Sequence, residues 1–166
     1  MDYALCFSRN RCTSVEKVGE DLIKSTCRLQ DTVNDALVEV LVKLPDLEIT
    51  DVKGRVNRSP FQTGPDTLKG LEKVVGVRIG PGVLKIIRGL VGDSTNYRQL
   101  AFMVEECCQG VILSFTKLEL EKAPEDEAAM KEYYADMVRK NIRLYNRCAA
   151  FAPGSSLVDG IDGSGS

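Results

Sequence analysis

The chain has 166 residues, 43% apolar and 28% charged, a composition that suits one folded domain and leaves little room for disorder away from the ends. Its net charge of −2 carries no basic excess of the kind that marks a nucleic-acid binder, and no apolar run approaches the ~20 residues of a membrane span. Histidine is absent, which removes the commonest general acid/base, the commonest metal ligand and the usual base of a Ser or Cys triad.

Any chemistry must therefore rest on carboxylates, lysine, tyrosine, a lone thiol or a bound cofactor, and the expectation is a protein to which no metal and no cofactor is assigned. Met1-Asp2-Tyr3-Ala4 lacks the basic stretch and long apolar run of a secretory signal. The six cysteines, Cys6, Cys12, Cys27, Cys107, Cys108 and Cys148, form no C-x-x-C pair. They are expected as reduced thiols in a cytoplasmic protein, with Cys27, Cys107 and Cys148 lying in apolar patterns.

In chain order, residues 2–12 are a candidate edge strand, and residues 20–30 and 34–44 alternate as strands do. Val38, Val40 and Val42 share one face, and Leu37, Glu39, Leu41 and Lys43 share the other. Asp31-Thr32-Val33-Asn34-Asp35 supplies the turn between them. In the next strand, LEITDVKGRV, the apolar positions change parity between Ile49 and Val52, which predicts a β-bulge near Thr50-Asp51. From Pro60 the period becomes helical. A short helix is expected over DTLKGLEKVV, closed by Gly76, and a second over VLKIIRGLV after the turn Gly80-Pro81-Gly82.

A long helix is expected from about Asn96 to Lys122, with Leu100, Val104, Cys107 or Cys108, Val111, Phe115 and Leu118 as its apolar stripe. Ala123-Pro124 interrupts it. A last helix is expected to run to about Cys148, burying Met130, Tyr134, Met137, Val138, Ile142 and Tyr145. The expected fold class is α+β: an antiparallel β-meander of three to four strands, two short helices, and a long C-terminal helical hairpin. Residues 1–152 form one domain in this reading, and 153–166 a flexible tail ending in linker-like Gly-Ser-Gly-Ser.

Three places carry candidate chemistry. The turn GVRIGPG, with Arg78, Gly80, Gly82 and Lys85, offers backbone N–H groups and positive charge to an anion, although it matches neither standard phosphate-loop pattern. The mouth of the long helix gathers Asp93, Ser94, Asn96, Tyr97 and Arg98, where Asp93 and Ser94 also suit helix capping. The strand cluster Asp51, Lys53, Arg55 and Arg58 either tunes Asp51 for acid/base work or forms a wet sheet face.

The run LVEVLVKLPDLEITDVKGRVNRSPF, followed by LKGLEKVVGVRIGPGVLKIIRGLVGD and a leucine-bearing helix start, resembles the uncharacterised bacterial family catalogued as domain of unknown function 2889, over about residues 20–112. Its most telling pieces are LEITDV (47–52), Pro60 and VGVRIGPG (75–82). The resemblance implies a cysteine shortly after Pro60 and a Gly-Cys-Thr-His-Leu helix start. This chain has Phe61-Gln62-Thr63-Gly64 and Gly92-Asp93-Ser94-Thr95 there, so neither group is present. The element order is also similar to that of iron–sulfur scaffold proteins of the IscU/NifU kind, without their cluster-holding cysteines.

Three functional readings result. In the first, the protein binds a small anionic molecule or a protein partner, with no nucleic acid and no membrane. The GVRIGPG turn and the Asp93–Arg98 helix mouth are then the two walls of the site. In the second, a histidine-free lyase, isomerase or cyclase uses Asp51, Tyr97 and Arg98. In the third, the long helices pair in a structural homodimer, with Val111 and Phe115 at the interface.

Overall fold

The computed structural model describes residues 5–60, 65–80, 82–91, 95–146 and 148–161, with only the backbone described at 65, 67, 95–97, 116, 118 and 143. The chain divides into two compact units, Met1–Phe115 and Thr116–Ser166.

The first unit is built on a four-stranded antiparallel sheet in sequence order: β1 (Arg9–Lys17), β2 (Leu22–Asp31), β3 (Asp35–Lys43) and β4 (Glu48–Arg58). The edge strand starts seven residues later than 2–12 because its register is fixed from the turn end, with Lys17 opposite Ile23 and Arg9 opposite Asp31. Side-chain alternation sends Ile23, Ser25, Cys27, Leu29 and Asp31 of β2 and Ala36, Val38, Val40 and Val42 of β3 to one buried face. The predicted bulge is present. Leu41 opposes Asp51 while Val42 opposes Ile49, leaving Thr50 as the extra residue that brings both Ile49 and Val52 inward.

After β4 come the short α1 (Pro65–Lys69), a 3-10 turn over Gly70–Val74, α2 (Val83–Val91) and α3 (Thr95–Lys122). The expected single helix over DTLKGLEKVV thus tightens to 3-10 geometry halfway, and Gly76 follows it at φ 87°. The segment returns along β4: the Gly76 amide donates to the Ile49 carbonyl at 2.8 Å, and the Ile49 amide to Val77 at 2.9 Å. Leu71 and Val74 are fully buried against the sheet.

Helix α3 buries Leu100, Ala101, Met103, Val104, Cys107, Cys108 and Val111, an arc much wider than one stripe. On its sheet side the Ser25 hydroxyl donates to the Cys107 carbonyl at 3.0 Å, and a Cβ built on Gly110 would lie 2.9 Å from a Thr13 methyl and 3.2 Å from one of Val15. On another side Arg88 of α2 grips Glu105 through two hydrogen bonds of 2.7 and 2.9 Å. Adjacent cysteines about 100° apart are therefore both covered. Burial pushes the Cys27, Cys107 and Cys108 thiols up, Cys108 to about 12, so all three stay protonated. Cys6, Cys12 and Cys148 are exposed, which corrects the expected placement of Cys148 in an apolar, covered position.

The second unit holds the end of α3, α4 (Glu127–Lys140) and two short 3-10 turns. Asp126 caps α4 by accepting the Ala129 amide at 2.8 Å, and the Tyr133 hydroxyl donates to the Glu119 carboxylate at 2.8 Å. Helix α4 stops at Lys140 rather than near Cys148, because Asn141 leaves the helical region at φ −136° and ψ 80°. Of the six residues expected on its buried side only Val138 is fully covered, together with Ala135. Residues 153–161, expected as tail, form successive turns that bury Val158.

The two glycines inside α2 and α3 differ in surroundings. Around Gly89 nothing lies within 4 Å of an added Cβ, whereas at Gly110 the edge strand is already in contact. Gly89→Ala is expected to raise the urea unfolding free energy by up to ~1 kcal/mol through helix propensity. Gly110→Ala is expected to forfeit that gain and lower stability by ~1–2 kcal/mol through overpacking. Stabilisation by both substitutions would contradict the close approach of α3 to β1.

Candidate functional site

The candidate site grows from one carboxylate. Asp31 ends β2 with its side chain 0% exposed, and four groups converge on it. Its Oδ1 accepts the Val33 and Asn34 amides at 2.9 and 2.7 Å, closing the β2–β3 turn, and the Asn34 side-chain amide adds bonds of 3.0 and 3.1 Å. Its Oδ2 takes Nε and a terminal nitrogen of Arg9 at 3.0 and 2.8 Å. Burial pushes this carboxyl up, but the Arg9 guanidinium, the two backbone amides and Asn34 outweigh it and hold the group at about 2.

The same turn orients a second arginine. From the far end of β4, Arg58 donates to the Asp31 carbonyl at 2.6 Å and to the Asn34 carbonyl at 3.5 Å. Arg11 lies two residues along β1 on the same sheet face as Arg9, by strand alternation. Its guanidinium is 4.9 Å from the centre of the Phe102 ring, with Nε 3.4 Å from Glu106. Arg98 arrives from the first turns of α3.

Together these arginines line a cavity of about 360 Å³ at this end of the sheet. Leu29, Ala36, Val56, Leu100 and Phe102 give it apolar walls, and Asn34, Ser59 and Gln99 add neutral polar groups. The volume falls within the ~300–1,000 Å³ typical of small-molecule sites. The protein is acidic overall, yet four arginines line this cavity.

Of the residues singled out in the sequence, the structure brings Arg98 to this cavity, together with Arg58 from the strand cluster. Asp51 lies seven residues from Arg58 along β4, ~20 Å away, and pairs with Lys53 at 3.0 Å on the outward face. It therefore cannot work together with Arg98. Tyr97 is in the first turn of α3, described by its backbone alone, and Asp93 and Ser94 lie outside the described residues. So do residues 61–64, where the family resemblance implies a cysteine.

The glycine turn lies away from this cavity, and none of its described residues lines it. Arg78 bridges to Glu48 at the opposite end of β4, ~30 Å along the strand from Arg58, with its guanidinium 4.0 Å from the Glu48 carboxylate. Three amides at the start of α2 are bonded within the chain: Val83 to the Gly80 carbonyl at 3.1 Å, and Lys85 and Ile86 to that of Gly82 at 3.0 and 3.2 Å. Gly82, at φ 80°, serves the turn itself, and the Lys85 side chain is exposed. The homodimer reading names Val111 and Phe115. Val111 is fully buried in the first unit's own core, and Phe115 packs against that core.

Arg9, Arg11 and Phe102 belong to no motif. The signal that points to the two arginines is period-two placement: Arg9, Arg11, Thr13 and Val15 fall on one face of β1, so both cations share the face of an apolar residue. Among the described residues no group of histidine, cysteine, aspartate or glutamate is arranged to hold a metal ion, and no helix is long and apolar enough to cross a membrane. Comparison with protein-family models, with curated proteins and with solved structures gives no match.

The Asp31 carboxyl sits below its ordinary value of 3.8, so ionisation favours the fold. Its contribution is complete above pH 3.8 and is lost as the pH falls towards about 2. Asp31→Asn is expected to lower the urea midpoint at pH 7 and to flatten the acid limb between those values, the difference from wild type shrinking at the acid end. An unchanged acid limb would show that Asp31 is not the carboxylate that ties this site together.

Proposed function

We propose that this protein binds a small organic anion in the cavity at the end of the sheet, between the β2–β3 turn, β1, β4 and the first turns of α3. The observation that carries the reading is the convergence of Arg9, Arg11, Arg58 and Arg98 on one cavity with apolar walls. Guanidinium groups present paired N–H donors to carboxylate and phosphate oxygens, and keep their charge at any physiological pH. Each arginine has five N–H donors, so those engaged with Asp31 or the turn carbonyls retain others for a ligand. Leu29, Val56, Leu100 and Phe102 suit a ligand whose charged group is attached to an apolar or aromatic body.

The lining favours binding over catalysis. Among the described residues it offers no carboxylate, lysine, cysteine or tyrosine to exchange a proton at neutral pH, and its one hydroxyl is Ser59. An enzyme built on Asp51 has no support from this geometry, since Asp51 points from the other sheet face. The resemblance to domain of unknown function 2889 fits a bacterial, cytoplasmic setting for such a binder.

Arg98 makes no hydrogen bond or ion pair with the described residues, so its replacement tests the site without dismantling the Asp31 turn. With 1-naphthyl phosphate as probe, titrated by calorimetry at pH 8, Arg98→Gln is expected to weaken binding at least ~10-fold. Raised salt is expected to weaken the wild-type complex as well. Equal affinity of the variant and the wild type would remove this cavity as the binding site.

A further inference from the structure

We propose that the ligand of this cavity carries two negative charges on a compact head group, a phosphate monoester or a pair of adjacent carboxylates joined to an apolar body. This inference rests on the anion-binding reading and goes further, because it follows from how the four arginines are partnered. Arg9 is matched by Asp31 through two hydrogen bonds, and Asp31 is wholly buried behind it. Arg11 is matched by Glu106 at 3.4 Å and stacked on Phe102. Two positive charges are thereby answered by two carboxylates.

The other two are not. Among the described residues Arg58 meets only carbonyl oxygens, those of Asp31 and Asn34, which orient it without neutralising it. Arg98 meets no carboxylate among the described residues. Among the described residues, the four arginines less their two carboxylates leave a net charge of two at the cavity, within walls whose apolar members lower the local dielectric and lengthen the reach of those charges. A monoanion leaves one guanidinium unanswered, whereas a dianion satisfies both. A phosphate monoester has that charge above its second pKa of ~6, and three terminal oxygens to receive forked N–H donors from two sides. The division of labour is then explicit: Arg9 and Arg11 are fixed parts of the wall, and Arg58 and Arg98 are the pair that discriminates charge.

The test compares three probes on one aromatic body at pH 8, where the phosphate is fully ionised. These are naphthalene-1-sulfonate with one charge, and 1-naphthyl phosphate and naphthalene-2,3-dicarboxylate with two. At least one dianion is expected to bind ~10-fold or more tightly than the sulfonate, and which of the two is tighter assigns the head group. In Arg98→Gln that preference is expected to fall to ~3-fold or less. If all three probes bind alike and all weaken in Arg98→Gln, the charge inference is overturned while the anion site stands. If none binds, or if Arg98→Gln changes nothing, the site itself is overturned.

Discussion

The buried carboxylate of Asp31 is the constraint on which the ligand-binding end of this protein depends. A carboxylate with no solvent of its own must have every oxygen answered, and Asp31 is answered by three residues, Arg9, Val33 and Asn34. The backbone amides of Val33 and Asn34 shape the β2–β3 turn, and Arg9 ties the edge strand to it. That turn in turn presents the two carbonyls on which Arg58 rests. One side chain thus sets the turn and places two of the four cavity arginines, and a neutral replacement disturbs all of them together.

A second constraint is the approach of α3 to the sheet. At Gly110 the helix backbone comes near enough to β1 that even a methyl group meets Thr13, and Ser25 reaches the Cys107 carbonyl from the strand below. Eight residues towards the helix N-terminus the side chains between helix and sheet are large: Phe102 of α3 stacks against Arg11 of β1, and the cavity opens beside them. The same helix that closes the core at one end therefore walls the cavity at the other. Glu105, 7% exposed and held by Arg88, fixes it from the side of α2. Small residues where elements must touch and long ones where they must span a gap are two uses of one packing rule.

The distribution of charge follows the same logic. With 22 basic and 24 acidic residues the chain as a whole gives an anion no long-range attraction. Most pairs on its surface are exposed and contribute little, such as Arg139 with Glu132 or Lys117 with Glu121. The cavity differs because its four cations come from three separated elements, and among the described residues only Arg9 and Arg11 are paired with a carboxylate. Selectivity for a ligand is then a local property of how partners are shared out, and overall composition does not express it.

What the sequence by itself determined is whatever rests on neighbours along the chain. Alternation fixed the meander and its inward valines, the parity change at Ile49–Val52 fixed the bulge at Thr50, and the Asp31–Asp35 run fixed its turn. The starts of α2 and α3 were legible for the same reason: helical period is a property of short windows. Tertiary structure alone decided what lies far apart in sequence and close in space. It drew Arg9, Arg11, Arg58 and Arg98 to one cavity and left Arg78 and Asp51 away from it. It also covered both Cys107 and Cys108, because the sheet and α2 flank α3 on different sides. Spacing along the chain carries no measure of those distances, since sheet register and helix docking, set by burial of the whole apolar face, decide which side chains meet.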